Sequence, residues 1–174
     1  MPAQDSFRLS LGCQSPFFPL NAQLKDIDLL VSNPKNRKSV TIQVKGSKAF
    51  EPTDSEVEKY GDGSAGWFFI PKGKIGECCA DYFVFLLHTI ADDFKNGRNR
   101  KRLSTHLLTI KPAELYKICR KKKILHVNYS FYIWVDPKRK RAFDFRDSGK
   151  KGIVNLTKYL DENGLRQIRK KLGV

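Results

Sequence analysis

Two stretches of alternating apolar and polar residues, joined by a turn, constrain the fold of this chain most strongly. They cover residues 26–31 and 39–45, and residues 32–38 between them are rich in turn formers. Successive side chains of a β-strand point to opposite faces, so each stretch has one apolar and one polar face. The pattern therefore predicts an antiparallel β-hairpin with one buried face and one polar face.

The position of the turn sets the register of this hairpin. With the turn centred between Lys35 and Asn36, Asp28 lies opposite Gln43 and Asp26 lies opposite Lys45. Directly opposed residues have Cβ atoms roughly 4.5–5.5 Å apart, so a carboxylate, an amide and a lysine converge on the polar face. Such a group can hold a divalent metal ion and a water molecule against a phosphate. An ordinary solvent-facing hairpin carries the same residue types, and that interpretation stays open.

The formal net charge of +15 is the second strong signal in the sequence. Basic residues occur in runs that no acidic run balances, at positions 35–38, 98–102, 120–123, 138–141 and 166–171. A field of this sign attracts polyanions and gives nonspecific nucleic-acid binding on the order of 10⁻⁴–10⁻⁶ M at physiological salt. We therefore expect a nucleic acid as partner, with an anionic membrane surface, an acidic protein or a ribonucleoprotein setting as alternatives.

Length and composition favour one globular domain over residues 1–174. A chain of 174 residues can bury about 70% of its unfolded surface in a single core. The sequence has no run of about 18 apolar residues that would predict a membrane span. Its first residues lack the charged start and apolar core of a signal peptide. We therefore expect no membrane insertion and a cytoplasmic location.

The cysteines and histidines show no spacing typical of metal ligands. Cys78 and Cys79 are adjacent and have no Cys-x-x-Cys partner, and Cys13 and Cys119 are isolated. Without a secretion signal, we interpret all four as reduced, partly buried small hydrophobes. We assign no function to the three scattered histidines, which are His88, His106 and His126.

The rest of the chain predicts a run of strands with helices late in the sequence. Apolar segments indicate strands at 67–70, 81–87, 105–110, 129–135 and 142–145, and an extended edge segment at 13–20. Polar segments predict loops at 49–66 and 92–102. Pro112 begins one helix, and Asn155 caps a terminal helical stretch that is interrupted near Gly164. The expected class is α/β, with α+β as the alternative: a central mixed β-sheet flanked by helices.

The hairpin and the two apolar strands after it carry the motifs of a known superfamily. Asp28 is followed by a turn, by Ile-Gln-Val-Lys-Gly-Ser at 42–47, by Trp-Phe-Phe-Ile-Pro at 67–71 and by Ala-Asp-Tyr-Phe-Val-Phe at 80–85. In these motifs the chain resembles the PD-(D/E)XK nucleases, which include Holliday-junction resolvases and the Mrr-like group. The resemblance covers about residues 13–88 and implies a single restriction-endonuclease-like domain, whose usual N-terminal helix is short or missing here.

The resemblance implies a role for four residues of the hairpin. In that superfamily, an Asp on one strand and an acid two residues before a Lys on the next strand bind Mg²⁺, and the Lys orients the attacking water. Asp28 would be the metal-binding aspartate, Gln43 would occupy the second ligand position, and Lys45 would be the catalytic lysine. The Val44 carbonyl would complete the metal shell. Gln43 replaces the usual acid, as in some Mrr-like members. The implied cofactor is Mg²⁺, with Mn²⁺ as an alternative.

We therefore expect a metal-dependent nuclease that hydrolyses phosphodiester bonds of duplex DNA, with a homodimer as one expected assembly. Nearby basic residues are expected to hold backbone phosphates: Lys35, Arg37, Lys38, Lys48, Lys72 and Lys74. One alternative is a catalytically degenerate module of the same fold that binds nucleic acid through its basic surface. Another is a basic adaptor or RNA-binding protein in which Phe50, Trp67 and Phe68 stack on bases, although core packing is the simpler role for these aromatics.

Overall fold

Two β-sheets and four α-helices make up the part of the chain that the structure describes, which gives an α+β fold. The structure is a computed structural model that describes residues 15–17, 26–48, 50–95, 98–122, 127–146 and 152–174. The strands are β1 Ser15–Phe17, β2 Leu29–Asn33, β3 Lys38–Gly46, β4 Ser64–Pro71, β5 Tyr82–Lys95, β6 Arg98–Ile110, β7 Asn128–Asp136, β8 Arg141–Asp144 and β9 Val154–Asn155. The helices are α1 Asp54–Tyr60, α2 Lys72–Gly76, α3 Pro112–Arg120 and α4 Asp161–Leu172, with a 3-10 turn at Thr157–Tyr159.

The first sheet is mixed and contains the predicted hairpin. Its strand order is β1-β2-β3-β5-β6. Strands β1, β2 and β3 form an antiparallel meander, β5 runs parallel to β3, and β6 returns antiparallel to β5. A parallel neighbour requires a long crossover, and here the chain passes through α1, β4 and α2 before it enters β5.

The second sheet covers one face of the first. It is antiparallel with the order β4-β7-β8-β9, and Phe68 and Phe131 from it pack with Phe85 of the first sheet in the main core. Helix α4 covers the opposite face through Ile168 and Leu172. The prediction of a mixed sheet is confirmed. The prediction that helices flank this sheet is confirmed only in part: α4 covers one face, whereas on the other face the inward residues of β4 and β7 pack together with Ile75 of α2 and Leu115 of α3.

Residues 82–85 of strand β5 are buried on both faces of the sheet, as the apolar sequence of this segment predicts. Tyr82 and Val84 belong to the apolar cluster beneath α4, whereas Phe83 and Phe85 belong to the core between the two sheets. All four residues are buried. This strand therefore fixes the position of its parallel neighbour β3, which carries Gln43.

The prediction of loops at residues 49–66 and 92–102 is wrong, because both segments contain regular structure. Residues 49–66 include α1, which starts with a capping box: the Thr53 side chain accepts from the Glu56 amide, and the Glu56 carboxylate accepts from the Thr53 amide. Residues 92–95 and 98–102 belong to the paired strands β5 and β6. The sequence of this segment is polar and basic and lacks apolar alternation, so it resembles a loop.

The two predicted helices are present, with one boundary shifted. Helix α3 begins at Pro112, and Leu115 and Cys119 are buried on its inner side. The Asn155 side chain accepts a hydrogen bond from the Thr157 amide at 2.9 Å where the 3-10 turn begins, so it does not cap α4. The interruption falls at Leu160, between that turn and α4. Gly164 lies inside α4, where a Cβ atom would meet the Tyr159 carbonyl oxygen at 2.1 Å.

Some expectations lie outside the described residues. They concern the shortened N-terminal helix, Cys13 and His126. The edge segment predicted at 13–20 is described at Ser15–Phe17, where β1 is the edge strand of the first sheet. Within the described ranges, none of the helices has the length and apolar character that crossing a membrane requires.

Candidate functional site

The register of the β2–β3 hairpin places Asp28 beside Gln43, as the sequence predicts. Leu29 pairs with Ile42. Asp28, the residue before Leu29, therefore lies opposite Gln43, the residue after Ile42. The Asp28 amide donates to the Ile42 carbonyl at 2.9 Å and extends the pairing just beyond the start of β2. Asp28 and Gln43 therefore share the face of the hairpin that is turned toward the second sheet, at the open end of β2.

The Asp28 carboxylate is held by two neighbours on β3. Its Oδ2 atom accepts hydrogen bonds from Gln43 Nε2 at 2.5 Å and from the Val44 amide at 2.6 Å. Hydrogen bonds to an ionised carboxylate are among the stronger ones in proteins, so they fix its orientation. Gln43 is only 6% exposed, whereas Asp28 is exposed. No hydrogen bond joins Asp28 Oδ1 to any residue that the structure describes, which leaves this oxygen available to a ligand.

Lys45 lies two residues after Gln43 on the same face of β3. It is half-buried, and within the described ranges it forms no ion pair with a carboxylate. It does lie near Cys78: burial raises the pKa of the Cys78 thiol, and the positive charge of Lys45 opposes part of that rise. The lysine amine is therefore positioned at the end of the sheet that carries Asp28 without being neutralised there.

Asp26 does not face Lys45, so that part of the predicted arrangement is wrong. Strand β2 starts only at Leu29, and Asp26 adopts a left-handed backbone conformation with a φ of 67°. This conformation ends the strand alternation on which the prediction depended. Asp26 instead accepts a hydrogen bond from Lys74 on α2 at 2.7 Å, and this bond raises the pKa of Lys74.

Three of the six predicted phosphate contacts lie far from Asp28. Lys35 and Arg37 are in the β2–β3 turn, and Lys38 is the first residue of β3. About five residues of extended strand, roughly 17 Å, separate Lys38 from Gln43. That end of the hairpin instead contacts the last turn of α4, because one asparagine at the end of β2 and one in the turn donate to the Leu172 carbonyl. These three residues can contact only remote parts of a long polyanion.

The other three predicted phosphate contacts lie at the Asp28 end of the sheet. Lys48 is exposed and follows β3 after Ser47. Lys72 and Lys74 belong to α2, which the pairing of Lys74 with Asp26 holds against this end. Lys74 is engaged by that carboxylate, whereas Lys48 and Lys72 are exposed. The structure thus places Lys48 and α2 at the end of the sheet that carries Asp28. Lys35, Arg37 and Lys38 lie at the other end of the hairpin.

The donor set for a cation at this site is small. Across the described ranges, no three or more His, Cys, Asp or Glu side chains group together as a metal site. The N–H and C=O of one strand residue point to the same side, so the Val44 carbonyl faces the same side as its amide, which contacts Asp28. The oxygen ligands on offer are therefore one carboxylate and one backbone carbonyl, with Gln43 orienting the carboxylate.

The predicted base-stacking aromatics have different environments. Phe68 is 3% exposed in the core, and Phe50 is half-buried with its ring 6.2 Å from Tyr132. Trp67 is 39% exposed, and its neighbour on the same face, Phe69, is 51% exposed. We did not predict a role for Phe69. The alternation of Trp67 and Phe69 with buried residues along β4 is the sequence signal that could have identified it.

The described cysteines are free thiols, and the described histidines contact nearby polar side chains. Cys78, Cys79 and Cys119 are free thiols, and burial raises the pKa of Cys119 to about 12. Cys78 is partly buried, as predicted, whereas Cys119 is fully buried and Cys79 is exposed, which the prediction missed. His88 and His106 each contact one polar side chain, Thr105 at 3.0 Å and Asp161 at 2.9 Å.

Comparison with known proteins gives no family for this chain. No protein-family model, curated protein or solved structure matches it. The function therefore has to be argued from the site itself. An oriented carboxylate, a backbone carbonyl and an unneutralised lysine at one end of a sheet can together hold a hydrated cation and a phosphate.

Proposed function

We propose that this protein is a metal-dependent nuclease that hydrolyses phosphodiester bonds of DNA at Asp28, Gln43 and Lys45. The observation that carries the proposal is the contact of Asp28 with Gln43 and the Val44 amide across the hairpin, with Lys45 two residues further on the same face. These are the residues through which the sequence resembles PD-(D/E)XK nucleases. The net charge of +15 supports a polyanionic substrate, and duplex DNA is the substrate we propose.

Mg²⁺, or Mn²⁺ in its place, is the cofactor that this proposal implies. Mg²⁺ is commonly bound through one or two carboxylates together with substrate phosphates, and it keeps several water ligands. Asp28 Oδ1 and the Val44 carbonyl fit such a site and are the atoms that would hold the ion. When bound, the ion lowers the pKa of a water ligand and offsets negative charge on the phosphate.

Each protein residue has a separate task in this proposal. Gln43 and the Val44 amide hold Asp28 Oδ2, so the other carboxylate oxygen is presented in one fixed direction. Gln43 keeps this geometry but brings no charge, which makes the site a weaker cation binder than one with two carboxylates. Lys45 places a positive charge beside the phosphate, where it stabilises the attacking hydroxide and the charge that develops on the phosphate oxygens.

A binding module that does not cleave is the second candidate function. The observation that favours it is the single carboxylate of the site, since no group of three or more acidic, histidine or cysteine side chains forms among the described residues. Such a module would bind nucleic acid through its basic surface with a steep salt dependence, and EDTA would not change its affinity. A homodimer is a further proposal, because two copies of the site would let one assembly cut both strands of a duplex.

The test is cleavage of supercoiled plasmid with Mg²⁺ or Mn²⁺, with EDTA as the negative control. Lys45→Ala is expected to cut at least about a hundredfold more slowly, because it removes charge stabilisation at the reacting phosphate. Lys170→Ala is the matched control, since it removes an exposed lysine of α4, which covers the opposite face of the sheet. It is expected to change binding slightly and the cleavage rate little.

The outcomes separate the two candidate functions. Metal-dependent nicking that Lys45→Ala abolishes and Lys170→Ala keeps would support the nuclease. Plasmid that is shifted on a gel but stays intact in both metals would support the binding module. Equal nicking by the wild type and Lys45→Ala would show that any cleavage takes place elsewhere.

A further inference from the structure

The outer face of β4 presents two aromatic side chains to solvent next to the proposed site. Phe68 and Ile70 point into the core, whereas Trp67 and Phe69 point outward and are 39% and 51% exposed. Their ring centroids are 5.1 Å apart with an interplanar angle of 38°. Large aromatic residues are costly to leave in water, so an adjacent exposed pair on a rigid strand indicates a contact surface.

Hydrogen bonds fix the orientation of the Trp67 indole. Its Nε1 atom donates to Ser130 Oγ on β7 at 3.0 Å, and its backbone amide donates to Ser47 Oγ at 2.8 Å. Tyr132 lies edge-on at a centroid distance of 6.2 Å. A ring that is already held in place loses little conformational entropy when a ligand stacks on it, which favours binding.

The outer face of the second sheet is also aromatic around β7 and β8, but helix α1 covers that part. The Tyr60 ring from α1 packs on Trp134, Phe143 and Phe145 at centroid distances of 4.6–5.6 Å. Trp134 is fully buried. Among the described residues of this face, the aromatic surface is therefore closed by a helix at one end and open at Trp67 and Phe69.

The surroundings of the open end carry positive charge. The Arg146 guanidinium lies over the Trp67 ring, with its Cζ atom 5.3 Å from the centroid. The Arg146 amide donates to Asp144 Oδ1 at 3.2 Å, and Asp144 forms a buried ion pair with Lys122, so this position of the chain is anchored. Lys48 follows Ser47, the residue that binds the Trp67 amide. Aromatic rings beside exposed basic side chains match the bases and phosphates of a nucleic acid.

The aromatic pair is close to the proposed catalytic lysine. Ser47 is two residues after Lys45 and contacts the Trp67 backbone at 2.8 Å. Two residues of extended chain span roughly 7 Å, which puts the Trp67 backbone within about 12 Å of the Lys45 Cα atom. A strand whose phosphate reaches Lys45 therefore passes within reach of the aromatic pair.

From these observations we infer that Trp67 and Phe69 form a platform on which unpaired bases of a nucleic-acid strand stack, with Arg146 and Lys48 contacting its phosphates. The inference rests on the proposed function for the nature of the polymer and specifies its form: a single strand, or a duplex with unpaired bases beside the cleaved bond. Base stacking on aromatic side chains accepts every base, so the platform selects unpaired structure and not sequence.

Tryptophan fluorescence tests the inference without requiring cleavage. We would titrate the protein in EDTA with short oligothymidylate, oligouridylate and a blunt duplex of the same length. Trp67 is exposed and Trp134 is fully buried, so a base that stacks on the platform quenches the emission of Trp67 and leaves that of Trp134. We expect quenching by the single strands and little by the duplex, and the two single strands together distinguish DNA from RNA.

Variants separate stacking from an unspecific effect. Trp67→Ala and Phe69→Ala are each expected to lower single-strand affinity about tenfold or more and to change duplex affinity little. Trp67→Phe is expected to lose the quenching and keep most of the affinity, which guards against a folding defect in the alanine variant. Tyr116→Ala is the matched control, because it removes an exposed aromatic residue on α3.

The result that overturns the inference differs from the result that overturns the nuclease. Single strands that bind without quenching, or with equal affinity for the wild type, Trp67→Ala and Phe69→Ala, would exclude the platform. A second outcome is that single strands quench Trp67 and bind more weakly to Trp67→Ala and Phe69→Ala, but the protein cleaves no substrate. That result would support the platform and exclude the nuclease.

Discussion

Gln43 determines the charge of the proposed site, because an acidic residue at this position would add a second carboxylate beside Asp28. The amide donates to Asp28 Oδ2 at 2.5 Å, so in the absence of a cation it relieves the repulsion that two carboxylates would experience. The same substitution lowers the attraction for Mg²⁺. The balance between hairpin stability and cation affinity therefore depends on this one side chain.

Gln43→Glu is predicted to make the stability of the protein depend on Mg²⁺. Without a metal, two carboxylates on directly opposed residues cost about 1 kcal/mol, or roughly 2–4 °C in Tm. A bound cation reverses this repulsion, so Mg²⁺ is expected to raise the Tm of the variant more than that of the wild type. Thermal unfolding followed by circular dichroism, with and without Mg²⁺, measures both effects.

Gln167→Glu on α4 is the control for this experiment, because it adds the same charge on a different element. It is expected to gain no response to Mg²⁺. An equal Mg²⁺ response of both variants would mean that the ion acts on overall charge and not at Asp28.

Sequence patterns predicted the Asp28–Gln43 pair correctly and Asp26 wrongly, and the difference has a physical cause. Alternation and turn position determine the register of a hairpin, and both can be read from residues 26–45. Asp26 instead has a left-handed conformation and contacts Lys74, which lies 48 residues away. A tertiary contact of that kind leaves no signal in the local pattern.

At the scale of secondary-structure elements, α4 supports the site from behind. It covers the face of β3 opposite Gln43, and its residues Ile168 and Leu172 pack on Val40 and Ile42. Polar contacts complete the docking: Lys171 forms an ion pair with Asp81, which also accepts from the Thr41 amide of β3 at 3.0 Å. The position of β3 therefore depends on the docking of this helix.

Asp81→Asn is predicted to weaken this docking in a pH-dependent way. Burial alone would raise the pKa of Asp81, but the hydrogen bonds from Lys171 and Thr41 outweigh it and lower the pKa below its usual value. A lowered pKa means that the ionised carboxylate stabilises the folded state above the unfolded pKa of about 3.9. This stabilisation is lost as the pH falls through the folded value. We expect a loss of about 1 kcal/mol at pH 7.

Urea unfolding of the wild type and Asp81→Asn between neutral and strongly acidic pH measures this effect. The difference in unfolding free energy is expected to vanish once the pH is below the folded pKa of Asp81. Asp62→Asn is the control, since Asp62 forms an exposed pair with Lys138, and such pairs contribute little. A difference for Asp81→Asn that stays constant with pH would contradict the assigned role.

Element prediction failed where local signals resemble one another. The capping box of Thr53 and Glu56 lies among glycine, proline and acidic residues that are typical of loops, so α1 was missed. The second sheet was missed for a different reason: β4 and β7 were recognised as strands, but their partners cannot be read from the sequence. Strand pairing across 60 or more residues, as between Phe68 and Phe131, depends on core packing.

At the scale of the whole molecule, one end of the mixed sheet combines the features that the proposal needs. Asp28 and Lys45 lie there, Ser47 links the end of β3 to the aromatic pair on β4, and Lys48 adds positive charge. The remaining basic runs extend the positive field over other surfaces, which favours a long polyanion over a small anionic substrate. Sequence composition predicted this field, whereas its arrangement around Asp28 required the fold.

The most direct test of the account is DNA cleavage by the wild type and Asp28→Asn at saturating Mg²⁺, with binding measured on the same DNA in EDTA. Asn keeps the shape of the side chain but removes the one carboxylate that would hold the ion. The account predicts that Asp28→Asn cuts at least about a hundredfold more slowly, as for the loss of a group that acts at the reacting phosphate, and binds with nearly unchanged affinity. Cleavage by Asp28→Asn at the wild-type rate, or no cleavage by the wild type with either Mg²⁺ or Mn²⁺, would contradict it.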